Sequence, residues 1–147
     1  MEHSSHLQIK PKSKTGIYHQ ITTKSANWEY LNFEARLMSK GETWEQDTQE
    51  NEMVIVLLSG NFKVESNMGN WETKNGRKDV FSGVAHTLYL SRNSKFKLTA
   101  LSDTLDIGYG WCKVEEDFPA KFVTPEDTPV VILAIGAPFR PTNMMKG

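Results

Sequence analysis

The side chains best suited to chemistry in this chain are its histidines, of which there are four. His3 and His6 lie near the start and His19 lies in an early apolar segment, and their spacing makes no site. The sequence contains no Ser/His/Asp order, Gly-x-Ser-x-Gly elbow or Gly-rich phosphate loop, so nucleophilic catalysis has little support. His86, which ends the segment Gly83-Val84-Ala85-His86, is the histidine that the surrounding glycines place in a recognisable position.

The glycine spacing around the centre of the chain resembles that of the cupins, small β-barrels with two sequence motifs. The first cupin motif is Gly-x(5)-His-x-His-x(3,4)-Glu-x(6)-Gly, and the second ends in Gly-x-x-His. Gly41 lies 19 positions before Gly60, and Gly83 precedes His86 by three. The positions that hold the metal in a cupin carry, in this chain, Asp47, Gln49, Met53 and His86.

A divalent metal needs three or four nitrogen or oxygen ligands at about 2.0–2.6 Å. Asp47 and Gln49 can donate oxygens, and Glu50 or Glu52 would take the acidic position if the register slipped. A lone histidine is more often packed or hydrogen-bonded than a ligand. We therefore expect no cofactor, and the alternative is a Zn, Mn, Fe or Ni ion held by His86, Asp47 and Gln49.

Aromatic and basic residues are the candidates for binding a small molecule. Four tryptophans are present, and an arginine can pair bidentately with a carboxylate. Arg77 and Arg92 are the arginines considered for that pairing. A site for a sugar acid would need an aromatic residue and an arginine at the same opening, and the predicted substrate-binding residues are Arg77, His86, Trp44 and Tyr109.

The elements that must position these residues are short strands. Residues 54–58 form an apolar, β-branched run, and Ser59-Gly60-Asn61 follows as a turn, which predicts a central hairpin with residues 62–64. In residues 28–38, apolar side chains alternate with Asn32, Glu34 and Arg36, which predicts that the latter face solvent. Further strands are predicted over residues 17–21, 44–50, 71–73, 79–81, 87–90, 95–101, 105–111 and 130–135, with a connection over 115–129.

About ten short strands with no helical stripe predict an all-β fold, a single cupin-type (jelly-roll) antiparallel β-barrel. The expected organisation is a flexible N-terminal arm over residues 1–16, the barrel over 17–136 and a tail over 137–147. A net charge of −1 favours neither nucleic acid nor a membrane as partner. One cysteine, Cys112, excludes an internal disulfide, and with no apolar span or leader it predicts a cytoplasmic protein with a packed thiol.

Short segments along nearly the whole chain carry a more specific resemblance: His6-Leu7, Lys10-Pro11-Lys12, Ile17-Tyr18-His19, Ile21-Thr22, Ala26-Asn27-Trp28-Glu29-Tyr30, Phe33-Glu34, Gly41-Glu42-Thr43, Val56-Leu57-Leu58-Ser59-Gly60, Gly76-Arg77, Val80-Phe81-Ser82-Gly83 and Thr124-Pro125-Glu126-Asp127. With these segments the chain resembles the N-terminal half of the 5-deoxy-glucuronate isomerase family of inositol catabolism. That resemblance implies a bicupin of twice this length that isomerises a uronic acid to a keto acid.

The resemblance also implies where the catalytic residues belong. The family's metal ligands lie in its second cupin, and residues 136–145 resemble the linker at which that second barrel begins. Family sequences have a longer Gly-to-His spacing than Gly83 to His86, so His86 is only a positional match. The chain is thus expected to be a catalytically silent structural half that forms a homodimer or pairs with a separate second cupin. The alternatives are an autonomous metal-dependent isomerase around His86 and a non-catalytic module that binds a sugar acid.

Overall fold

The structure is a computed structural model that describes residues 16–22 and 31–127. The predicted arm as far as residue 15, the predicted strand 130–135 and the predicted tail 137–147 lie outside the described residues, and they stay predictions. Within the two described ranges, no helix is long and apolar enough to cross a membrane.

The described residues form ten strands and one short 3-10 turn. The strands are β1 (Gly16–Ile21), β2 (Asn32–Ser39), β3 (Thr43–Asp47), β4 (Asn51–Ser59), β5 (Phe62–Ser66), β6 (Gly69–Glu72), β7 (Thr87–Leu90), β8 (Lys95–Ala100), β9 (Thr104–Lys113) and β10 (Lys121–Val123). The 3-10 turn spans Pro125–Asp127.

The strands make two antiparallel sheets that share one core. One sheet has the order β1-β2-β9-β4-β7-β10 and the other the order β3-β8-β5-β6. Alternate side chains along each strand point to the same face, so each sheet buries one face against the other. Burial of side chains such as Leu57 and Leu98, which are fully buried, stabilises the fold by about 1.5–3 kcal/mol each. This arrangement confirms the predicted all-β, jelly-roll fold.

Gly60 lies at one of the connections through which the chain passes from one sheet to the other. β4 pairs with β7 and β9, whereas β5 pairs with β6 and β8, so the predicted hairpin between these two strands is wrong. Both strands bury one face in the same core. Their pattern of apolar residues would be the same whichever strands they paired with, so it could not reveal the true partners. The turn itself is confirmed, since Gly60 has a φ of 93° that favours glycine.

Strand β2 turns its polar face inward, contrary to the prediction. Glu34 and Arg36 point between the sheets and hydrogen-bond Tyr109, a core residue. Phe33 lies on the outer face, where its ring comes within 3.2 Å of the position that a Cβ would take on Gly108. The predicted alternation of β2 is confirmed, but its inward and outward faces are the reverse of the prediction. The charged side chains can point inward because polar partners compensate them at this end of the core.

Two further segments differ from the sequence-based expectation. Residues 79–81 form a turn and not a strand, and β10 lies inside the predicted connection 115–129. β10 pairs with β7 at the edge of the six-stranded sheet. Its pairing brings Phe122 against the ring of His86, at a centroid distance of 5.7 Å.

Candidate functional site

A cavity of about 200 Å³ opens at the end of the fold where β3 leads into β4, and we call it the mouth cavity. Strands β2, β3, β4 and β9 and the β3–β4 turn all contribute to its wall, so both sheets build it. Its lining residues are Glu34, Trp44, Gln46, Asp47, Thr48, Gln49, Asn51, Met53, Tyr109 and Trp111.

The inner wall of the mouth cavity is aromatic and buried. Trp44 is 7% exposed and Tyr109 is 2% exposed, and their ring centroids lie 4.3 Å apart. Trp111 stacks on Tyr109 at a centroid distance of 6.1 Å, and Phe96 packs edge-on against Trp44 at 5.0 Å. These contacts hold the rings in fixed positions beneath a polar rim.

A hydrogen-bonded chain of three residues runs beside this wall. The Tyr109 hydroxyl donates to Oε2 of Glu34, and it accepts from Nε and Nη2 of Arg36, each at 3.3 Å. Burial, and next the hydrogen bond to Glu34, raise the pKa of Tyr109 above its ordinary value, against the opposing effect of Arg36. Arg36 also lies over the Trp44 ring, with Cζ 4.6 Å from the centroid. The tyrosine therefore stays a neutral hydroxyl that links the two charged groups.

The rim of the mouth cavity is held by the β3–β4 turn. Thr48 is buried, donates to the carbonyl of Ser91 at 2.9 Å and accepts from the amide of Ser94 at 2.9 Å. Oδ1 of Asp47 accepts from the amide of Gln49, which has a φ of 51°. The two bonds of Thr48 connect the turn to the β7–β8 connection, and the bond between Asp47 and Gln49 fixes the turn itself.

The structure brings together some of the predicted site residues and separates others. Trp44 and Tyr109 adjoin, and Asp47 and Gln49 line the same mouth cavity. His86 does not line this cavity. Its backbone carbonyl accepts a hydrogen bond from the amide of Leu57, which lies far along β4 from the mouth cavity.

His86 instead lines a second cavity of about 540 Å³ at a different place in the fold, with Trp71, Phe122 and Glu126 among its neighbours. Its side chain is 2% exposed. Burial lowers the pKa of His86 below its ordinary value, and the nearby Glu126 carboxylate opposes this only in part. A packed, neutral imidazole follows from these surroundings.

The residues at the cupin ligand positions do not assemble a metal site. In the register of β4 with β7, Met53 faces Leu90 and not His86. The acidic neighbours are engaged elsewhere, since Glu50 pairs with Lys113 at 3.1 Å and Glu52 accepts from the Tyr89 hydroxyl at 2.8 Å. Among the residues that the structure describes, no group of three or more His, Cys, Asp or Glu could hold a metal ion.

The two arginines considered for a substrate carboxylate make contacts within the chain. The Arg77 guanidinium donates to the carbonyls of Leu57, Val80 and Gly83, and so ties down the loop before β7. Arg92 pairs bidentately with Asp117, with nitrogen–oxygen distances of 2.6 and 3.2 Å. The assignment of Arg77 to a substrate stays a prediction.

Cys112 lies beside Glu52, with 3.5 Å between Sγ and Oε1. Burial, followed by the effect of Glu52, raises the pKa of the thiol. A raised pKa leaves little thiolate, which agrees with a packed and unreactive cysteine.

Sequence reasoning missed Glu34, Arg36, Gln46 and Asn51 as parts of a site. The available signal was the pair of opposite charges two positions apart in a strand, since both then point to one face. The local sequence could not show that this face is the inner one, because the residue that receives it, Tyr109, lies 75 positions from Glu34 in the chain.

Two facing antiparallel sheets with an open cavity at one end are the arrangement expected of a cupin-type protein. The chain belongs to the KduI/IolB family, whose profile matches residues 6–137. It is 28% identical over 118 residues to the 5-deoxy-glucuronate isomerase of Geobacillus kaustophilus, a match that covers 80% of this chain and 42% of the relative. The same enzyme of Bacillus subtilis (strain 168) is 25% identical over 129 residues, with coverage of 84% and 47%.

The solved structures agree on the fold. An IolB-like protein from Salmonella typhimurium superposes with a TM-score of 0.76 at 23% identity, over 82% of this chain and 46% of that one. A cupin domain from Schizosaccharomyces pombe superposes with a TM-score of 0.54 at 12% identity, over 73% and 70%. The chain spans less than half the length of the curated relatives it matches.

Proposed function

We propose that this chain is a structural half of a 5-deoxy-glucuronate isomerase-type protein of cytoplasmic inositol catabolism, and that it does not catalyse the uronate aldose–ketose isomerisation by itself. The observation that carries the proposal is the separation of His86 from Asp47 and Gln49, with Met53 at the remaining ligand position. A second cupin that carries the catalytic residues would complete the enzyme.

The chemistry of the reaction supports this division. Moving a proton between adjacent carbons passes through an enediol-like state, and a metal or a well-placed base stabilises it. In the mouth cavity both carboxylate oxygens of Glu34 already accept hydrogen bonds, from Tyr109 and from Gln20. The remaining lining carboxylate, Asp47, accepts the amide of Gln49. Among the described residues that line this cavity there are two carboxylates but no imidazole that could act with them.

The experiment is a metal analysis and an isomerase assay on the same purified chain. We expect well under one equivalent of Zn, Mn, Fe or Ni and no turnover of a 5-deoxy-glucuronate-type substrate. His86→Ala is the test variant and His19→Ala the matched control. Stoichiometric metal that disappears only in His86→Ala, together with turnover, would overturn the proposal in favour of an autonomous isomerase.

A further inference from the structure

The mouth cavity has the composition of a site for a small polar molecule with aliphatic faces. The lining includes the aromatic rings of Trp44, Tyr109 and Trp111, of which Trp111 is half-buried and the other two are buried. It also includes carboxylates, carboxamides and a hydroxyl, from Glu34, Gln46, Asp47, Thr48, Gln49 and Asn51. A lining that combines an aromatic ring with many hydrogen-bonding groups suits a ligand that has both C–H faces and hydroxyls.

The charges in the lining disfavour an anion. Among the described residues that line the mouth cavity, two are carboxylates and none is Lys, Arg or His. The guanidinium of Arg36 lies over Trp44 and donates to Tyr109. A carboxylate on the ligand would therefore face Glu34 and Asp47 with no lining cation to compensate it.

The same contacts disfavour a cation. Aromatic rings with nearby carboxylates bind ammonium groups when the ring face is open to the ligand. Here Arg36 already occupies a face of Trp44 at 4.6 Å and lies 5.9 Å from the centroid of Tyr109. A ligand cation would find this face of Trp44 already covered.

The size of the cavity limits the ligand further. Its volume of about 200 Å³ is below the 300–1,000 Å³ typical of sites for drug-sized ligands. Since a water molecule takes about 30 Å³ of liquid volume, the space equals several waters and suits a single ring. From these four observations we propose that the mouth cavity binds an uncharged polyhydroxylated molecule of monosaccharide size, with its C–H face on Trp111 and its hydroxyls on the amide and carboxylate rim.

This inference goes beyond the structural role proposed above and does not depend on it, because binding is measured without turnover or metal. The test is calorimetry and tryptophan fluorescence on the purified chain with glucose, galactose and mannitol as uncharged probes. Glucuronate, which differs from glucose in its C6 carboxylate, and tetramethylammonium are the charged comparisons. We expect an uncharged probe to bind with a Kd of about 1 mM and at least about tenfold more tightly than either charged one.

Three variants locate the binding. Trp111→Leu removes part of the aromatic wall and should weaken binding at least about tenfold. Trp71→Leu is the matched control, since Trp71 is also a half-buried tryptophan on a strand but lies outside the mouth cavity, and it should leave binding unchanged. Asp47→Asn removes one carboxylate from the rim and should narrow the preference for glucose over glucuronate. Circular dichroism checks that each variant keeps its fold.

Each other result would overturn the inference. Glucuronate or tetramethylammonium binding as tightly as the best uncharged probe would show that the charge argument is wrong. No uncharged probe binding up to about 50 mM would show that the cavity is not such a site. An equal loss in Trp111→Leu and Trp71→Leu would place the binding elsewhere.

Discussion

Three side chains make one end of the space between the two sheets polar. A carboxylate and a guanidinium enter the space between the sheets on one strand, Glu34 and Arg36, and the hydroxyl of Tyr109 connects them. Desolvating a charge is costly unless partners replace the lost water, and here the tyrosine serves both groups. The result is a polar end on an otherwise apolar core.

His86 gives a prediction at the same scale. Because burial lowers its pKa in the fold, protons bind more tightly to the unfolded chain, and stability should fall as the pH drops below the ordinary histidine value of about 6.5. The contribution is fully present above that value and is lost as the pH falls toward the folded-state pKa. Urea unfolding between about pH 7.5 and pH 5 should show a shallower decline for His86→Gln than for the unaltered protein.

The neighbour Glu126 supplies the control for that titration. Its carboxylate favours the charged imidazole, so Glu126→Gln should lower the pKa of His86 further, as followed by NMR. A histidine that titrates at its ordinary pKa, or a Glu126→Gln variant in which the pKa rises, would contradict the buried, neutral imidazole.

At the scale of elements, the connection between β4 and β5 is one of the places where the chain crosses from one sheet to the other. Gly60 combines a φ of 93° with a crowded position, because a Cβ there would clash with Oγ of Ser102 and with the carbonyl oxygen of Thr104. Gly41 has a similar φ of 85° and nothing within 4 Å. A substitution at Gly41 would therefore introduce backbone strain alone, whereas the same substitution at Gly60 would introduce both backbone strain and crowding.

We expect Gly41→Ala to lower the free energy of unfolding by about 1–2 kcal/mol, the usual cost of a left-handed alanine. Gly60→Ala should lower it by more, about 2–4 kcal/mol, since Ser102 or the backbone at Thr104 must also move. Urea titrations of both variants at one pH measure the difference. Equal losses would mean that the crowding at Gly60 relaxes freely.

At the scale of the whole molecule, the outer face of the six-stranded sheet is the surface to test for pairing. Val54 on the central strand β4 is 36% exposed there, and small residues of β9, Gly108 and Gly110, lie opposite β4 in register. We expect a second copy of this chain to pair through this face, because two-fold pairing brings the same surface of both copies into contact.

Sedimentation velocity tests this expectation. The unaltered protein should sediment as a dimer, and Val54→Lys should sediment as a monomer, because a lysine on the central strand would be desolvated in the contact. Val84→Lys is the matched control, since Val84 is equally exposed at 36% but lies in the loop before β7, and it should remain dimeric. A monomeric unaltered protein, or equal disruption by both lysines, would argue against pairing through this sheet.

The sequence alone was sufficient to predict the fold class, most strand positions and the turn at Gly60, because alternation of apolar side chains and a positive φ at glycine are local properties. It was insufficient to identify the partners of β4 and β5 or the inward face of β2. Those depend on strands brought together from distant positions, as Glu34 and Tyr109 are across 75 residues. The mouth cavity, the separation of His86 from Asp47 and Gln49, and the hydrogen bond from Arg77 to the carbonyl of Leu57 were likewise decided only by tertiary packing, since each depends on segments that lie far apart in the chain.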